Sequence, residues 1–130
     1  MNRTSTAAGR ILVLAAAGEA AFGLVLLVYP PIVVRLLLNA QIAGAGMVMS
    51  RVAGMALIAL GMACWPDDGR RGNARAFRGM LCYSLFVTPY LAYLGLEGAW
   101  GGSLLWPAVF LHLALTILLV RAWFKRSDCA

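Results

Sequence analysis

Charge is scarce in this sequence, and acidic charge most of all: five Asp and Glu stand against eleven Lys and Arg in 130 residues, and charged residues make up 12% of the chain. A soluble globule of this size needs a charged coat, and so few charges, several of them gathered between Asp67 and Arg78, do not supply one. Soluble enzymes and disordered chains are set aside on that ground. Cysteine is sparse too. Cys64, Cys82 and Cys129 are odd in number and show no CxxC spacing, which gives no disulfide or zinc framework. Small apolar packing at Cys64 and Cys82, with a free thiol at Cys129, accounts for them better than a three-thiolate metal site. Histidine occurs once, as His112. Ser84 and Thr88 have no histidine in register, and His112 has no Asp or Cys at its depth, so no nucleophile–base pair or metal site forms. Haem held by His112 with Met47 or Met55 has no motif behind it. The sequence leans away from an enzyme and names no cofactor.

What the chain has is apolar surface. Hydrophobic residues make up 62% of it and its mean hydropathy is +0.83, which points to an integral membrane protein. A net charge of +6 and a pI of 9.9 would suggest nucleic acid in a soluble protein. Here the basic residues flank the apolar runs, a placement that sets membrane orientation and speaks against nucleic acid as a partner.

Four stretches are long enough to cross a hydrocarbon core of about 30 Å, which takes roughly 20 helical residues. They run over about 11–29, 44–65, 80–96 and 104–124. The first is closed by Pro30-Pro31, and the short apolar run 32–38 after it reads as an interfacial half-helix with Arg35 at headgroup level. The fold expected is all-α: one transmembrane domain over 1–130, a bundle of four helices plus the half-helix. Tyr29, Trp65, Trp100, Trp106 and Trp123 fall near span ends as an aromatic belt. The segment 66–79 reads as a turn-rich basic loop touching anionic lipid. A cleaved signal peptide competes at the start, with Arg3 and Arg10 before an apolar run and small residues at Ala15-Ala16-Ala17. The run continues past them to Tyr29, which suits a retained span.

Nine basic residues outside the spans fall on one side: Arg3, Arg10, Arg70, Arg71, Arg75, Arg78, Arg121, Lys125 and Arg126. Arg35 alone falls on the other. The expected location is a bacterial inner membrane with both termini cytoplasmic.

Inside the spans, ionisable residues cost roughly 2.5–3.5 kcal/mol each at the centre on insertion scales and mark sites by default. Glu19, Arg51 and His112 occur there. Counted from the outer ends at 1.5 Å per residue, Glu19 lies about 15 Å down, Arg51 about 10 Å and His112 about 12 Å. Thr88 and Tyr90 of the third span fall about 9–12 Å down, beside Pro89. The five make one buried polar layer. Glu19 and Arg51 would pair within it, with His112 bonding to either. Gly46, Ser50 and Gly54 form a small-xxx-small row beside Arg51, with Gly61 further down, and predict a tight helix contact. Two roles suit such a layer: an internal clamp, or a pocket for a small amphipathic ligand such as a quinone or fatty acid, with an acidic or carbonyl head at Arg51 and with Thr88, Tyr90 and His112 lining the cavity.

The stretch RVAGMALIALGMACW, preceded by LLVYPPIVVRLLL, resembles small bacterial four-helix membrane proteins of the DoxX-like type. Arg51, Gly54 and Gly61 carry the shared element, over roughly the first half of the chain. The resemblance implies fold and location more than activity; some members are accessory membrane subunits of oxidoreductases. A second comparison is with small multidrug exporters, four-helix proteins with a glutamate in the first span that serves proton and cation exchange. The function expected is therefore an accessory or small-molecule- or lipid-binding membrane protein, alone, as a homo-oligomer or in a larger membrane complex. A proton-coupled small-molecule transporter is the alternative.

Overall fold

A computed structural model describes residues 3–65 and 70–127. Cys129 lies outside them, as do positions 66–69 of the expected basic loop and the side chains of Arg3, Arg70, Arg71, Trp123, Lys125 and Arg126. Among the described residues the chain is all-α, with helices α1 (Arg3–Val28), α2 (Pro30–Leu38), α3 (Ala45–Ala63), α4 (Arg70–Glu97) and α5 (Leu105–Ser127). Four of them, α1, α3, α4 and α5, are long and apolar enough to cross a membrane. Large apolar side chains face outward along them, among them Leu14, Phe86, Leu96, Phe110 and Phe124. That is the surface of a protein whose solvent is lipid.

The breaks follow local chemistry. Pro30 and Pro31 lack the N–H groups that would continue α1, and they serve instead as the first residues of α2, where those donors are not needed. Tyr29 between the two helices takes φ −136°, ψ 66°. Asn39 ends α2 in the left-handed region at φ 53°, its N–H bonded to the Arg35 carbonyl at 2.9 Å. Gly44 enters α3 at φ 53°, ψ −127°, a conformation open to glycine.

One boundary differs from the sequence expectation. The third span was expected at about 80, after a loop reaching Gly79, but α4 is already helical from Arg70. The reason is amphipathic: Ala76, Phe77 and Met80 turn inward onto Leu12, Ala15, Ala16 and Leu119, while Arg75 and Arg78 face out. Burying that apolar edge makes a helix of what polarity alone marks as a loop.

Helix α1 is the centre of the bundle and touches all four others. On one side it meets α3 with almost no space between backbones. A Cβ added at Gly54 would lie 2.7 Å from the Gly23 carbonyl oxygen, and one at Gly61 would lie 2.6 Å from that of Ala16. Close approach between Gly23, Ala16 and Ala20 on α1 and Gly54 and Gly61 on α3 therefore builds this contact. Of the small-residue row expected on α3, Gly54 takes part, whereas Gly46 has only Ile42 near it. On its other side α1 meets α4 and α5. At the end away from the basic residues, the backbone N–H of Leu104 donates to the Leu36 carbonyl at 2.8 Å, which ties the entry of α5 to α2.

Candidate functional site: the buried polar cluster between α1, α4 and α5

The residues of α1 that face α4 and α5 are Leu12, Ala15 and Glu19, all buried. Those that face α3 are Ala16, Ala20 and Gly23. At about 100° per residue the two sets lie roughly a quarter turn apart. Glu19, 7% exposed, thus points away from α3 and into the space between α4 and α5.

Both carboxylate oxygens are engaged there. Tyr83 of α4 donates its hydroxyl to Oε2 at 3.1 Å, and Nε2 of His112 on α5 lies 3.5 Å from Oε1. The tyrosine and imidazole rings are tilted neighbours with centroids 6.5 Å apart. Nδ1 of His112 lies 2.9 Å from the Ala108 carbonyl oxygen; a carbonyl accepts, so Nδ1 carries a proton and donates it. Beside this cluster, Thr88 and Thr116 share a hydroxyl contact at 3.0 Å. Each hydroxyl also donates to its own helix four residues back, Thr88 to the Ser84 carbonyl and Thr116 to the His112 carbonyl, both at 2.7 Å. No buried side-chain polar atom among the described residues lacks a partner.

The expected layer is thus divided. Glu19, Thr88 and His112 are brought into the interior, whereas Arg51 and Tyr90 are exposed. The expected Glu19–Arg51 pair does not form; the described ion-pair partner of Glu19 is His112. The cause is azimuth. Arg51 sits beside the Gly54–Gly61 edge of α3, which faces the other flank of α1. Tyr90, 62% exposed, leans outward from α4.

Tyr83 joins the cluster without having been singled out for it, whereas Thr116 lies on the face of α5 that helical spacing already shares with Ala108 and His112. Counting depth from Leu96 puts Tyr83 about 20 Å down, below the layer, because the count follows the backbone and ignores the reach of a phenol. One signal in the sequence did mark the inner face of α4. Ala76, Met80, Ser84 and Thr88 recur every four residues and all are buried.

A haem iron would compete for nitrogens already occupied, since Nδ1 faces Ala108 and Nε2 faces Glu19. Among the described residues no group of three His, Cys, Asp or Glu is placed to hold a metal ion. Cys64 is buried at the end of α3, and burial pushes its thiol up, against the lowering effect of a backbone hydrogen bond from Met80.

A separate apolar groove of about 330 Å³ lies between α1, α2 and α3. Phe22 and Leu26, Val33 and Leu37, and Met49 and Ser50 line it, with Ser50 the polar member. Thr88, Tyr90 and His112, expected around a cavity, are not among its walls.

Fold and cluster together define an all-α membrane bundle with a hydrogen-bonded acid–imidazole–phenol group in its interior. No family model, curated protein or solved structure matches the chain.

Proposed function

We propose that this chain is a small bacterial inner-membrane protein of the DoxX-like type, with both termini cytoplasmic, that holds one amphipathic molecule at the groove between α1, α2 and α3. It would act alone, as a homo-oligomer or as an accessory part of a larger membrane complex. The supporting observation is the groove itself: its volume, about 330 Å³, falls in the range of small-molecule sites, and its walls are apolar except at Ser50. Arg51 follows Ser50 on α3 and is exposed, as is Arg35 on α2. An aliphatic or isoprenoid tail suits the groove, and an acidic or carbonyl head suits a guanidinium at its margin. Quinones and fatty acids have that chemistry. The polar cluster takes the other role weighed for it, an internal clamp, since its groups are satisfied by one another.

Native mass spectrometry of the protein released from mild detergent tests this. Wild type should retain one amphipathic molecule beyond bulk phospholipid, and Ala53→Phe, which fills the groove, should lower its occupancy at least about tenfold, equivalent to 1.4 kcal/mol or more. Equal retention by both, or bulk phospholipid alone on wild type, would end the proposal.

One observation favours the proton-coupled exporter as a second reading: Arg51 does not neutralise Glu19. The nine-to-one distribution of basic residues still opposes an antiparallel dimer. Efflux of a lipophilic cation in everted vesicles, lost when the proton gradient is collapsed, would support the exporter.

A further inference from the structure

Neither the groove nor the clamp uses the chemistry that distinguishes the interior, which is the arrangement of protons around Glu19. Three contacts constrain it. Nδ1 of His112 donates to the Ala108 carbonyl, so the neutral imidazole has its lone pair on Nε2. Nε2 faces Oε1 of Glu19 at 3.5 Å, within ion-pair range and longer than a short hydrogen bond. Oε2 is already an acceptor, taking the Tyr83 hydroxyl at 3.1 Å.

If Glu19 were ionised and His112 neutral, the lone pairs of Oε1 and Nε2 would face one another with nothing between them. A single proton removes that repulsion. It can reside on Oε1, giving a carboxylic acid beside a neutral imidazole, or on Nε2, giving a carboxylate beside an imidazolium. The two forms have the same proton count and no net charge, and they interconvert by movement of that proton along the Oε1–Nε2 line. A second proton would place one positive charge in the interior, and loss of the first leaves one negative charge there. Both cost more than the one-proton form in a low-dielectric site.

We infer that Glu19 and His112 form a proton-binding site that takes up and releases a single proton as a unit across the α1–α5 contact, with Tyr83 fixing the carboxylate so that Oε1 faces the imidazole. The other titratable groups packed around the site are few. From α4 it is Tyr83, from α5 His112 itself, and from the end of α3 the buried thiol of Cys64. Among the described residues the ion-pair partner of Glu19 is His112. Release of the proton leaves an uncompensated anion between α1 and α5, next to the Thr88–Thr116 contact that joins α4 to α5. The site therefore links proton occupancy to how the central helix is held. It does not depend on the groove being occupied.

The chain has one histidine and only two glutamates, Glu19 and Glu97, so isotope labelling by residue type reports the site directly. Full-length protein in lipid nanodiscs, labelled with ¹⁵N-His and ¹³C-carboxyl-Glu, is titrated between about pH 5 and pH 10, the range that brackets ordinary imidazole and phenol ionisation. The His112 ring signals and the Glu19 carboxyl signal should move together with one common midpoint. Glu19→Gln should displace the His112 midpoint by about one pH unit or more, a tenfold change in proton affinity. Separate midpoints in the wild type, signals that do not move, or a His112 midpoint unaffected by Glu19→Gln would each overturn the inference. Should Glu19→Gln not fold, Tyr83→Phe removes a single hydroxyl and decides the same question: a displaced but still common midpoint supports the shared proton, and two midpoints refute it.

Discussion

Glu19 reaches three helices from one position. It belongs to α1, accepts from Tyr83 on α4, and meets His112 on α5, so each of these side chains is a buried polar group whose partner is supplied by another segment. Removing one member of such a pair strands the other, which typically costs about 3–5 kcal/mol. His112→Leu should therefore lower stability by about that much in detergent, and the double variant with Glu19→Gln should lose less than the two single losses added together. Arg51→Met, on an exposed position outside the cluster, should stay within about 0.5 kcal/mol of wild type. Thermal unfolding followed by circular dichroism checks all of these, and additive losses for Glu19 and His112 would dissolve the pairing. The comparison also separates what was legible in the sequence from what was not. An ionisable residue within an apolar run marks an interior site whatever the fold, and so Glu19 and His112 stood out. Height along the span could be counted, and helical spacing could put Ala108, His112 and Thr116 on one face; which neighbouring helix each face meets could not be read. That is why Arg51 was matched to Glu19 at similar depth although the two face different flanks.

At the scale of elements, α1 and α3 are held by the absence of side chains. Gly54 and Gly61 sit against the backbone of α1 so closely that a methyl group at either would overlap a carbonyl oxygen. Gly54→Leu should force the helices apart and cost about 1–3 kcal/mol, the usual range for overpacking, whereas Gly46→Ala should be neutral. A thermal shift at Gly46 as large as at Gly54 would show that the contact runs along a different row. The sequence displayed these glycines, since small residues at helical spacing are visible in any run. It displayed several possible rows at once, and the choice among them rests on the angle at which α3 crosses α1. The start of α4 was hidden for a related reason. Arginine, glycine and asparagine over 70–79 look like a loop until Phe77 and Met80 find the α1 and α5 surfaces that bury them.

For the whole molecule, the apolar runs and the proline pair made the four long helices and the half-helix legible, because the thickness of a bilayer fixes how long an uninterrupted apolar stretch has to be. Arg10, Arg75, Arg78 and Arg121 all project from the same end of the bundle, and Arg35 from the other. A reporter fused after Asp128 should accordingly read cytoplasmic and one near Gly98 periplasmic. The reverse pattern, or equal signals at both positions, would rule out a single orientation. The central place of α1 has a further consequence in time. This helix is synthesised before the four it touches, and Tyr83 follows Glu19 by 64 residues. At elongation rates of about 5–20 residues per second that interval is roughly 3–13 s, with His112 later still. During this delay the carboxyl group has neither of its native neighbours. Glu19 of α1 is therefore without its native partners until α4 and α5 have been made. Membrane integration of this chain is in that sense completed from its C-terminal half backwards.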